Sequence, residues 1–75
     1  MVVNNMKLIE FIYHLAHKSI SIMLYVYNKN SNTYSNIYDG SVGQLIHWKD
    51  FPTYRDYIIE NIDCEENLFE VKIYG

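Results

Sequence analysis

The sequence predicts an α+β fold: a four-stranded antiparallel sheet made of two hairpins, an N-terminal helix packed on one face, and a short helix between the hairpins. Three observations carry this. Leu8, Phe11, Ile12, Leu15 and Ser19 recur at helical spacing. Residues 20–27 alternate with a period of two, and Phe69, Val71 and Ile73 repeat that pattern near the end. Turn-forming stretches at residues 28–32 and 65–67 lie beside those strands.

The first element is a helix near residues 6–18, with Lys7, Glu10, His14, His17 and Lys18 as its polar side. Asn4 or Asn5 can cap its free N–H groups, and His17 and Lys18 suit the negative end of its dipole. Residues 1–5 are expected to be a weakly ordered extension, with Met6 a candidate natural start, and residues 6–75 form one domain.

The strand at 20–27 puts Ile20, Ile22, Leu24 and Val26 on one face, and Ser21, Met23, Tyr25 and Tyr27 on the other. Its return strand, 33–38, separates Thr33, Ser35 and Ile37 from Tyr34, Asn36 and Tyr38. Asp39-Gly40 ends the hairpin. Ser41, with Gln44 three residues on, fits a capping box and predicts a short helix at 42–47, although Gly43 lies inside it.

Residues 48–54 read as an irregular connector, because Pro52 blocks a continuous helix. Residues 57–63 fit either period. As a strand, Ile58, Glu60 and Ile62 oppose Tyr57, Ile59 and Asn61; as a helix, Tyr54, Tyr57, Ile58 and Asn61 line up. The strand reading is preferred, because a strand that follows a tight turn wants a partner just before it. In that turn, Asn67 is the residue suited to left-handed backbone angles.

A chain of 75 residues is one domain. Without disulfides, a metal or a partner subunit, its stability is held to roughly 3–5 kcal/mol. Cys64 is the only cysteine, so no internal disulfide forms; this favours a reducing compartment such as the cytoplasm, and makes a homo-oligomer a live expectation. No stretch reaches the roughly 18–20 apolar residues of a membrane span, and residues 1–6 lack a signal-peptide pattern.

Net charge is −3, unevenly spread. Residues 1–38 carry three lysines against one glutamate; residues 39–75 carry eight acids against Lys49, Arg55 and Lys72. No basic stripe exists, so direct nucleic-acid binding is not expected.

The tyrosines point to binding. The first hairpin's second face would carry Met23, Tyr25, Tyr27, Tyr34 and Tyr38. A wet sheet face ordinarily alternates apolar with charged or small polar residues. Three readings stay open: the short helix and residues 48–54 fold over this face, a second copy pairs with it, or a different partner docks there. Trp48, Tyr54 and Arg55 are further candidate contacts. Glu60, Asp63, Glu65 and Glu66 form an acidic group at the second hairpin, either a solvated turn or an imitation of nucleic-acid phosphates aimed at a basic groove.

Catalytic chemistry is not expected. Glu10, His14 and His17 share a helical face at metal-ligand spacing, but solvated histidines on a polar face explain them, so neither a metal nor a cofactor is called for. Asp63 and Glu65 beside Cys64 disfavour a reactive thiolate. Gly40-Ser41-Val42-Gly43 is neither a nucleophile elbow nor a phosphate loop.

The run from Tyr38 to Leu45 (YDGSVGQL), with a helix and hairpin before it and a Leu-x-x-Val-x-Ile strand after it, resembles small phage and prophage proteins of low-GC Gram-positive bacteria. Gln44 stands where an acid is common in that group. The resemblance implies an accessory phage protein that inhibits host anti-phage defence, either by occupying a host protein's surface or by acting as an oligomeric sponge for a nucleotide-like signal. A structural accessory role is the remaining reading.

Overall fold

The computed structural model describes residues 6–15 and 19–75. The order is α1 (Leu8–Tyr13), β1 (Ser21–Asn28), β2 (Thr33–Ser41), α2 (Val42–Leu45), α3 (Phe51–Tyr54), β3 (Ile58–Glu65) and β4 (Leu68–Tyr74). The fold is α+β with short helices and a four-stranded sheet of order β2-β1-β4-β3.

The sheet is mixed, which corrects the antiparallel expectation. Each hairpin is antiparallel, but the two meet through β1 and β4, which run parallel. The most apolar strand of each hairpin lies inside, where Ile22, Leu24, Val71 and Ile73 are fully buried. The more polar β2 and β3 take the edges, where charge and irregularity discourage further pairing. Alternation shows which face a residue occupies; it carries no sign of strand direction, because the side-chain period is two in both kinds of pairing.

α1 is shorter than its stripe predicts. Leu8 and Ile12 are buried, Phe11 and Leu15 are half-buried, and Ser19 lies exposed beyond the helix. The proposed caps Asn4 and Asn5, and the proposed dipole partners His17 and Lys18, fall outside the described residues. Other groups satisfy the first turn. The N–H of Leu8 donates to the Tyr57 carbonyl and that of Ile9 to the Arg55 carbonyl, each at 2.9 Å. The Glu10 carboxylate accepts from the Lys7 N–H at 2.9 Å.

In α2 the Ser41 hydroxyl accepts from the Gln44 N–H, as the capping pattern predicts. The connector is not wholly irregular. Residues 51–54 make one helical turn with Pro52 at its start, where a missing N–H costs nothing.

Residues 57–63 are resolved in favour of a strand, with a bulge between Ile59 and Asn61. The bulge turns Ile59 and Ile62 to the same side, and both are buried. The strand expectation sets Ile59 and Ile62 on opposite faces; the bulge is what brings them together. In the following turn Glu66, not Asn67, takes the left-handed conformation, at φ 44°.

One core cluster joins Leu8 and Ile12 of α1, Val42 and Leu45 of α2 and Phe51 of α3 to the inward residues of β1, β3 and β4. No described helix is long and apolar enough to cross a membrane.

Candidate functional site: an open sheet face

Every half-buried hydrophobic residue of the described helices and connectors packs against that cluster, Trp48 and Tyr54 included. Met23, Tyr25, Tyr27 and Tyr34 do not join it, although all four are half-buried. The connector therefore does not fold over the tyrosine face. Among the described residues, that face stays open.

Strand register arranges the open face in rows, because paired residues share a side. At one end, Tyr27 pairs with Tyr34, their rings 5.4 Å apart. The next row runs Asn36, Tyr25, Lys72, Asn61 across all four strands. Beyond it come Asp39, Met23, Glu70 and Asp63, and then Ser41, Ser21, Leu68 and Glu65. The face thus grades from an aromatic end, through one lysine, to a row of three carboxylates.

Local contacts set these groups. The Lys72 ammonium lies 5.2 Å from the centre of the Tyr34 ring, a cation–π geometry. The Asn36 amide donates to Asp39 at 3.0 Å, and the Asn61 amide donates to Asp63 at 3.1 Å. Tyr27 donates to Asn32, which holds a left-handed turn position at φ 53°.

Tyr38 is not part of this face. A bulge in β2 pairs Leu24 with Tyr38 but Tyr25 with Asn36. The extra residue, Ile37, reverses the alternation, so Tyr38 turns to the helix side. There its hydroxyl donates to the Ser41 carbonyl at 2.8 Å. Its ring lies over Gly40, where an added Cβ would sit 2.8 Å from the phenol oxygen. Burial raises the Tyr38 pKa above its ordinary value.

Tyr38 begins a second aromatic group. Its ring meets Trp48 at 5.3 Å, Trp48 stacks on Tyr54 at 5.7 Å, and Tyr54 meets Tyr57 edge-on at 5.0 Å. Arg55 follows on the same side, at a groove of about 300 Å³ with Ile9, Tyr13, Ile46 and Pro52. The expected contact residues are therefore split: Tyr25, Tyr27 and Tyr34 on the open face, and Tyr38, Trp48, Tyr54 and Arg55 on the helix side.

The acidic group is divided too. Asp63 and Glu65 alternate onto the open face, Glu60 falls at the β3 bulge, and Glu66 sits in the turn. Glu65, Glu66, Ser21, Asn67 and Leu68 border an open depression of about 700 Å³. Sequence reading missed Asp39 and Glu70 as members of an acidic row, because their alignment depends on the bulge and on the parallel pairing. No group of three or more His, Cys, Asp or Glu among the described residues is placed to hold a metal ion.

No protein-family model, no curated protein and no solved structure matches this chain.

Proposed function

We propose that this protein is a small non-catalytic binding module that docks on a partner protein through its open sheet face. The observation that carries this reading is the half-buried Met23, Tyr25, Tyr27 and Tyr34 stripe, which no described helix residue covers. Tyrosine and methionine supply large contact area with little entropy lost or easy repacking, and both are enriched at interfaces. The resemblance to small phage proteins makes the partner a host anti-phage defence protein, met in the bacterial cytoplasm, with the phage protein as its inhibitor.

The sponge reading has less support. It needs cations gathered around stacked bases. Lys72 lies on the open face against Tyr34, whereas Arg55 lines the groove on the helix side and Lys49 stands in the connector before α3.

The test is plating efficiency of a defence-restricted phage on bacteria expressing the chain. Expression is expected to restore plaques, and Tyr25→Ala with Tyr27→Ala is expected to abolish that effect while the variant stays folded by circular dichroism. If the folded double variant restores plaques as well as the parent, the open face is not the inhibitory surface.

A further inference from the structure

Charge decides what kind of partner the open face fits. Asp39, Glu70 and Asp63 lie in one row across three strands. Asp63 and Glu70 are direct cross-strand partners, and like charges placed this way destabilise a sheet. Among the described residues, no cation on the face relieves them. Its one lysine, Lys72, lies on the Tyr34 ring, and the ion pair found among the described residues, Lys7–Asp56, is elsewhere. Asn36 and Asn61 hold the outer two carboxylates without neutralising them. The row is also too spread for one metal ion, since neighbouring strands are about 4.8 Å apart.

We propose that the open face docks a cationic protein surface, whose arginine and lysine side chains meet the Asp39–Glu70–Asp63 row and lie against Tyr25 and its neighbours. This rests on the docking reading above and names the chemistry of the partner. Guanidinium groups suit both halves of the face, because they pair with carboxylates and stack on aromatic rings. Lys72 on Tyr34 is the same contact made within the chain. A second copy fits poorly, as it would bring three more carboxylates and one lysine already engaged.

The test uses a nona-arginine peptide titrated into the isotopically labelled protein and followed by amide shifts. Shifts are expected at Met23, Tyr25, Asn61, Asp63 and Glu70, with affinity falling steeply as salt rises. Glu70→Gln should weaken binding about fivefold, the equivalent of ~1 kcal/mol. The same variant should raise the thermal midpoint, because it removes the like-charge pair. Asp50→Asn changes net charge equally but lies in the connector between α2 and α3, and should leave affinity unchanged.

Equal weakening by Asp50→Asn would reduce the effect to net charge and overturn the proposal. So would shifts confined to the Glu65–Glu66 turn, or a dimer in native mass spectrometry that Tyr25→Ala dissolves. If the tyrosine variants lose plaque restoration while the peptide ignores this face, docking stands and the cationic partner falls. If the peptide maps to the face but expression never restores plaques, the surface inference stands and the anti-defence reading falls.

Discussion

Tyr38 shows how a single residue can leave the site that its neighbours form. Its phenol donates to the Ser41 carbonyl, and burial raises its pKa above the ordinary 10. The folded state therefore holds this proton more tightly than the unfolded chain does. The stability linked to it is complete below about pH 10 and is lost as pH rises through the raised value. Tyr38→Phe removes both the hydrogen bond and the titration. Its thermal midpoint is expected to lie below the parent's at neutral pH, by the loss of about 1 kcal/mol. Above pH 10 the two midpoints should converge, and parallel decline of both proteins would rule out Tyr38 as a source of the alkaline loss. At the same scale, Glu66 and Asn32 take left-handed angles. The Asn at residue 32 belongs to a residue type that tolerates them, whereas nothing about a glutamate announces such a position.

Two bulges, one in each edge strand, decide what each hairpin presents. The β2 bulge is held by Asn36, whose amide donates to the Leu24 carbonyl at 3.3 Å as well as to Asp39. Asn36→Ala is expected to cost about 1 kcal/mol, roughly 4–8 °C in the midpoint of a domain this small. It should also change Trp48 fluorescence, because Tyr38, just beyond the bulge, contacts the Trp48 ring. An unchanged Trp48 spectrum would show that the bulge stands without its asparagine. The β3 bulge sets Ile59 and Ile62 on one side, both buried, and leaves Glu60 as its unpaired residue. Both are one-residue insertions, and each defeats a strict period of two.

Among the described residues the sheet has one covered face and one open one, and the two should answer differently to the same substitution. Leu24 is fully buried in central β1. Leu24→Ala should cost about 2–5 kcal/mol, close to the whole stability expected of a chain this short. Tyr25, its neighbour on the opposite face, lies outside the core cluster. Tyr25→Ala should therefore stay folded, and a urea titration of the pair reads the contrast directly. Comparable losses at both positions would mean that the open face is as much core as the covered one.

The sequence by itself determined the class of fold, the order helix–hairpin–helix–hairpin, the Ser41 cap, and the apolar faces of β1 and β4. Each rests on local periodicity or on a side chain reaching a nearby backbone group, and neighbours along the chain are enough to express it. It also placed Tyr25, Tyr27 and Tyr34 together, because one uninterrupted alternation and one turn align them. Only the tertiary structure decided that β1 and β4 pair in parallel, that Tyr38 leaves the tyrosine face, and that Asp39, Glu70 and Asp63 share a row. Strand direction leaves no trace in a period of two, and a bulge is one unpaired residue whose position is fixed by the partner strand. The acidic row joins residues from three strands, so it exists only once the hairpins have met.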